Sequence, residues 1–288
     1  MTQQQMAPSP RALAFRRLAA NRAALVSGVI LALILLAALF APLITPSTYD
    51  AQTWLTEALA PPSAAHWMGL DDLGRDVFTR IVYGARVSLG IGLAAAICSV
   101  LIGLPLGAIA GYYGGTVDWA VMRLIELFSV VPPLLAAMLL GALTQGGTPT
   151  IVIIAALFGW VQVCLLVRAQ VKSAREKDYV RAAVALGATP SYIIRRHLVP
   201  NAISPVIVGF VLSIPMAMML EASLSFLGIG VAPPVPSWGQ MINVGMNFMY
   251  FYWHMAVFPT AALAVTVLAT TLFGDGLRDA LDPTTKSR

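Results

Sequence analysis

Residues able to do chemistry are scarce in this chain, and they gather in three places. The first is the segment RAQVKSAREKDYVRAAVALGATPSYIIRRHLVPN, from Arg168 to Asn201, which mixes Lys, Arg, Asp and Glu with small residues. The second is HWMGLDDLGRDVFTRIVYGARVSL, which sets His66, Asp71, Arg75, Asp76, Arg80 and Arg86 close together. The third is Glu221, with no other charged residue between Arg196 and Asp275. None of these forms a catalytic pattern. The histidines, His66, His197 and His254, are far apart and no His/Asp/Ser set presents itself. Cys98 and Cys164 sit inside apolar runs and read as small buried hydrophobes, not as a metal site or a disulfide. There is no GxxxxGK[ST] phosphate loop, so ATP hydrolysis is not expected of this chain. What these sets offer is ion pairing, together with side chains small enough to let another surface approach.

The elements that must position them follow from spacing. Tyr179, Ala182, Ala183 and Leu186 fall at i, i+3, i+4 and i+7, one face of a helix, with Glu176, Lys177, Asp178 and Arg181 off that face. Gly187 follows where a helix stops. Thr189 can cap a second helix, with Pro190 at its first position. Ile193, Ile194, His197 and Leu198 give that helix its stripe, and Pro200 is expected to end it. The segment is thus a helix, a tight turn and a helix between two apolar runs.

Those runs set the class. Of 288 residues, 58% are hydrophobic and 11% charged, where soluble domains carry about 25% charged. A polytopic membrane protein is expected. The basic segment 1–22 precedes a run, 23–44, too long for a cleavable signal and read as a retained first span ended by Pro42 and Pro46. Residues 45–86 form an outer excursion, in which Val77, Phe78, Ile81 and Val82 suggest a short helix lying in the membrane interface. Residues 87–275 supply five more spans, at about 88–112, 119–143, 150–171, 202–229 and 256–274, with the turn 145–149 and the charged loop 172–201 between them. Residues 276–288 are a polar tail. Gly90, Gly92, Gly103, Gly107 and Gly111 would let the second span approach a neighbour closely. Arg123 and Glu126 should pair. With the amino terminus inside, the segments 1–22, 113–123, 168–201 and 275–288 hold 15 of the 18 Lys/Arg. That is the positive-inside pattern, and it accounts for the net charge of +5 without nucleic acid. Trp238, Tyr250, Tyr252 and Trp253 suit an interfacial aromatic belt.

The segment 168–201 resembles the cytoplasmic coupling loop of ABC importer permeases, whose pattern is Glu-Ala-Ala, three residues, Gly, nine residues, Ile-x-Leu-Pro. Ala182, Ala183, Gly187 and Pro200 fit it; Arg181 replaces the Glu, His197 the Ile and Val199 the Leu. The outer segment resembles the C-type subunits of dipeptide, oligopeptide and nickel importers. His66, Gly69, Asp71, Gly74, Arg75, Asp76, Arg80, Gly84, Ala85, Arg86 and Ser88 match, with Leu70 where Thr is usual and Thr79 where Ser is. So do Asn21-Arg22-Ala23 and SFLGIGVAPPVPSWGQM at 225–241. The resemblance covers nearly the whole chain. It implies an all-α, six-span type I ABC importer permease fold in the bacterial inner membrane, both termini cytoplasmic. The implied partners are a sister permease subunit, two ATPase subunits that bind the ATP and Mg, and an extracytoplasmic solute-binding protein.

The same resemblance implies that Glu176, Asp178, Tyr179, Arg181, Ala182, Ala183, Leu186, Gly187, Pro200 and Asn201 couple the chain to an ATPase groove. His66, Asp71, Arg75, Asp76, Arg80 and Arg86 are candidates for contact with an outer partner, against the reading of a solvated, self-paired interfacial helix. An acid at membrane depth is costly and a functional candidate, so Glu221, with Met216 and Met219, is a candidate for the translocation pathway. The bland alternatives are a Glu bonded to Ser223, Ser225 or a neighbouring helix, and methionines that fill packing. A secondary transporter or channel needs several intramembrane charges or a broken-helix ion site, and the sequence offers only Glu221.

Overall fold

A computed structural model describes residues 10–144 and 146–281. Residues 1–9, Gln145 of the expected turn and 282–288 of the polar tail lie outside the described residues. Helices dominate: α1 (Pro10–Ala20), α2 (Arg22–Leu39), α3 (Ala41–Ile44), α4 (Val77–Tyr113), α5 (Gly115–Val130), α6 (Pro133–Leu143), α7 (Thr148–Arg175), α8 (Asp178–Ala185), α9 (Pro190–Ile193), α10 (Val199–Phe226), α11 (Trp238–Phe248) and α12 (His254–Leu281). No strand occurs among the described residues beyond an isolated Leu70–Asp76 bridge. Five helical stretches are long and apolar enough to cross a membrane, and α5 with α6 makes a sixth if that bent pair is one span.

Several boundaries differ from the sequence expectation, each for a local reason. The expected interfacial helix does not exist as a separate element. Asp76 caps α4, its side chain accepting Thr79 N–H, and the helix then runs unbroken for 37 residues. The third span is not one helix, because Val131 and Pro132 are extended before the pair Pro132-Pro133, and α5 and α6 meet at an 80° bend. The first span stops at Leu39. Pro42 cannot supply an N–H to Ala38 O; Arg86 Nε donates to that carbonyl instead, and Arg86 Nη2 donates to Leu39 O at 2.8 Å. Pro200 ends nothing: it lies in the first turn of α10. Residues Ile194–Leu198 form a wider π turn, in which Val199 N–H bonds Ile194 O, so the chain passes from α9 into α10 without a stop.

The most extensive packing is between α4 and α7. At Gly103, Gly107 and Gly111 a Cβ would lie 2.6, 2.5 and 2.8 Å from the carbonyl oxygens of Trp160, Cys164 and Arg168. These glycines therefore bring the two backbones together, as small residues do between membrane helices. Gly92 packs on Met218, whereas Gly90 meets nothing.

Candidate functional site

The charged segment is built as a rigid extension of α7 and α10. Val167 and Val171 of α7 bury with Val180 of α8, Ile193 of α9 and Leu198, Ala202 and Val206. Helix α8 ends in a glycine turn: Gly187 has φ +78°, Gly187 N–H bonds Val184 O at 2.9 Å and Ala188 N–H bonds Ala183 O at 3.0 Å. Thr189 Oγ1 then accepts Tyr192 N–H at 3.4 Å and starts α9. Asn201 closes the far end, its Nδ2 donating to His197 O at 2.6 Å and to Tyr179 OH at 3.2 Å. His197 also stands against the rings of Tyr179 and Tyr192.

The face expected from the spacing is split by this arrangement. Ala182 and Leu186 point away from the protein, Leu186 being 88% exposed, while Tyr179 is 44% exposed with its ring and hydroxyl against His197 and Asn201. Ala183, however, is half-buried and packs on the chain's own core. The anchoring residue is Val180, 1% exposed, which the sequence reading did not single out. The eight-residue helix carries two valines, Val180 and Val184, and nothing local says that the first turns in and the second out. Arg181 and Glu176 form an exposed pair at 2.9 Å. Asp178 stands in the first turn of α8, where a carboxylate suits the helix dipole.

Apart from Arg86, the outer set is packed inside the chain and is not a solvated helix face. His66, Asp71, Arg75, Asp76 and Arg80 are all buried. Asp71 is the hub. Its Oδ2 accepts Arg75 Nε at 2.6 Å and lies 3.5 Å from Arg80 Nε, while its Oδ1 accepts the backbone N–H of Leu73 and of Arg75, each at 2.9 Å. Arg80 donates onward to Tyr49 O at 2.9 Å, Pro234 O at 3.4 Å and Gln240 Oε1 at 3.5 Å. His66 Nδ1 lies 3.2 Å from Asp76 Oδ2. His254 Nε2 donates to Leu70 O at 3.1 Å, since a carbonyl can only accept. Burial, and next the Asp71 carboxylate beside it, push the Asp72 carboxyl above its ordinary range. The cluster therefore ties segment 45–76, the start of α4 and the loop before α11 into one unit. Only Arg86 is exposed, and it caps α2.

Glu221 is fully buried. Ser225 Oγ donates to its Oε1 at 2.7 Å and Ser88 Oγ to its Oε2 at 3.2 Å. Those hydroxyls in turn accept Val231 N–H and Trp238 N–H. Ser223 turns elsewhere, to Met219 O. The carboxylate thus holds the loop 227–238 against α4. It does not share a face with Met216 and Met219, which are 75% and 49% exposed. Glu221→Gln is expected to assemble in near wild-type yield, because an amide oxygen still accepts one hydroxyl and serine can accept as well as donate. Glu221→Leu leaves two buried hydroxyls without an acceptor and should cost about 1–3 kcal/mol, read as a lower thermal midpoint of the purified complex. A Gln variant that assembles but no longer transports would show that the ionised group itself is used.

A bundle of long apolar helices joined by a short, exposed helical hairpin is the architecture of a polytopic membrane protein. The chain belongs to the family of binding-protein-dependent transport system inner membrane components, whose model matches residues 103–287. Residues 9–62 match the N-terminal TM domain of oligopeptide transport permease C. It is similar to the oligopeptide transport system permease protein OppC of Bacillus subtilis (strain 168), 42% identical over 271 residues covering 94% of this chain and 88% of that one. It is likewise similar to the glutathione transport system permease protein GsiD of Pectobacterium atrosepticum, 38% identical over 278 residues, 95% and 91% of the two chains. Among solved structures, the MetNI methionine ABC transporter in an inward-facing conformation superposes with a TM-score of 0.55 at 17% identity, over 70% of this chain and 96% of that one. This likeness shows the type I ABC importer permease fold.

Proposed function

We infer that this chain is one half of the membrane pathway of an ATP-driven, binding-protein-dependent importer for peptides or chemically related small solutes. The relatives support the solute class, being permeases named for oligopeptide, dipeptide and glutathione transport. The observation that carries the coupling role is α8: Tyr179, Val184 and Leu186 are apolar and exposed on a short helix fixed through Val180 to the ends of α7 and α10. Such a face needs a partner, and a cytoplasmic ATPase subunit is the one that fits. Closure of two ATPase subunits on ATP would push on α8 in this chain and on its counterpart in a sister permease. The push passes to α7 and α10 through the valine cluster, and the bundle rocks between outward- and inward-open states. The binding protein delivers solute to the outer side; ATP and Mg are held by the ATPase subunits.

This reading requires the inner-membrane orientation with both termini in the cytoplasm. Its support is the placement of 15 of the 18 Lys/Arg on four segments of one side. Reporter fusions after Arg288 and near Ala185 are expected to be cytoplasmic, and one near Ala60 extracytoplasmic. ATPase subunits should co-purify with the tagged chain. A carboxy terminus on the outer side, or a chain purified without ATPase, overturns the assignment.

A further inference from the structure

Helix α5, the first half of the bent pair, buries little of its surface in the molecule. Ile125 is its one buried residue among those described. An apolar strip joins it to α7, where Ile125 packs with Trp160, Val161 and Cys164 and Phe128 stands edge-on to Trp160, and Leu106 of α4 packs against the same cluster. Both of its ends are joints. It follows α4 through Gly114 and Gly115, with φ of +65° and +52°, and it stops at the 80° bend before α6. One polar contact crosses the strip's cytoplasmic end. Arg168 of α7 holds Asp118 of α5 in a two-pronged pair, Nη2 to Oδ2 at 2.6 Å and Nε to Oδ1. The side chains are 22% and 17% exposed, and two parallel bonds fix the pair's angle. Arg168 lies one residue beyond Val167 and three before Val171, the residues that join α7 to α8.

We propose that Asp118 and Arg168 are positioning residues that make α5 follow α7 when the coupling helix moves. Resting on the coupling role given above, the proposal adds how that motion reaches the third span. The α4–α7 pair is locked by its glycine face, so a push on α8 moves both together. Helix α5 follows that pair through a two-glycine joint and, among the described residues, rests on it through apolar contacts alone apart from the Asp118–Arg168 pair. Asp118 sits in the first turn, close to the joint, where a pair fixed in two directions sets the angle of the whole helix. An apolar strip can slide or roll; a guanidinium–carboxylate fork cannot without breaking.

The test uses the complete transporter, reconstituted with its ATPase subunits, in a chain whose Cys98 is replaced by alanine; Cys164 is fully buried and, being part of the α5–α7 strip, is kept. Spin labels are placed at Val130 on α5 and Ile153 on α7, which are 79% and 64% exposed. Their distance is measured without nucleotide and after trapping with ATP and vanadate. One narrow distance, the same in both states, is expected for the parent chain. Asp118→Asn should keep its ATPase subunits but show a second, longer distance after trapping. The double variant Asp118→Arg with Arg168→Asp should regain at least half of the single-distance population, which a merely structural role for either residue does not explain. The proposal is overturned if Asp118→Asn keeps the single distance, if the parent distance changes on trapping, or if the swapped pair restores nothing. If the parent chain holds no ATPase subunit, the coupling role fails and the proposal falls with it. A parent chain with ATPase bound and an indifferent Asp118→Asn fails this proposal alone.

Discussion

Asp71→Ala is expected to be the most damaging single change at the outer end of the molecule, lowering stability by about 3–5 kcal/mol. The change leaves Arg80, 3% exposed, without the carboxylate beside it, and leaves Arg75, 7% exposed, only the longer 3.7 Å pair with Asp72. It also strips the backbone N–H groups of Leu73 and Arg75 of their acceptor. Breaking a buried pair from one side is costly because the remaining charge can neither reach water nor neutralise; a guanidinium stays protonated at any working pH. Against a total stability of about 5–15 kcal/mol for a typical protein, that loss is decisive. Asp71→Asn should be milder, since the amide oxygen still accepts from the backbone. The loss should appear as protease cleavage within residues 45–76 and a lowered midpoint for the purified complex. Arg86→Ala serves as the comparison: it removes an exposed charge and uncaps two carbonyls of α2, a smaller effect. An Asp71→Ala chain with wild-type midpoint and protease resistance would mean that the cluster is held by its apolar surroundings and the ion pairs are incidental.

How much of this was legible in the sequence depends on the range of the interaction. The helix stop at Gly187 and the cap at Thr189 are contacts over two to four residues, and residue type carries them. The break at Pro132-Pro133 is equally local; its signal was present and was outweighed by the continuous apolar run around it. Residues whose partners are remote gave no such signal. Arg80 reaches Tyr49, Pro234 and Gln240, Arg86 reaches Ala38 and Leu39, and Ser88 reaches Glu221. In sequence these side chains look like a solvated, interfacial set, because a charge can be read as buried only when its partner is known. The same holds for α8. Four small or apolar residues at helical spacing define a face, but whether it turns inward or outward is decided by the valines of α7. Burying Val180 leaves Tyr179 and Leu186 outside.

That split of the face sharpens what substitutions in α8 should do. Gly187→Val is expected to uncouple ATP hydrolysis from transport while leaving the membrane bundle folded. A Cβ at Gly187 meets no atom within 4 Å, so the variant suffers no clash. Its cost is conformational: a β-branched residue at φ +78° is strained by roughly 1–2 kcal/mol, relieved by re-aiming α9 relative to α8. The turn's two closing bonds, Gly187 N–H to Val184 O and Ala188 N–H to Ala183 O, are then lost or bent. Leu186→Asp and Ala182→Trp should act differently, weakening ATPase attachment itself, because both side chains face outward. Ala183→Trp is the less informative probe, since Ala183 packs on the chain's own core and a large side chain there disturbs the fold first. Arg181→Ala should do least, its pair with Glu176 being exposed at both ends and worth under about 1 kcal/mol. The measurements are ATPase co-purification and the rate of ATP hydrolysis with the binding protein present, in reconstituted membranes. Retention of ATPase with unregulated hydrolysis is expected for Gly187→Val, and loss of ATPase for Ala182→Trp. If both variants keep their ATPase and its stimulation by the binding protein, α8 is not the coupling element, however well its exposed face suits one.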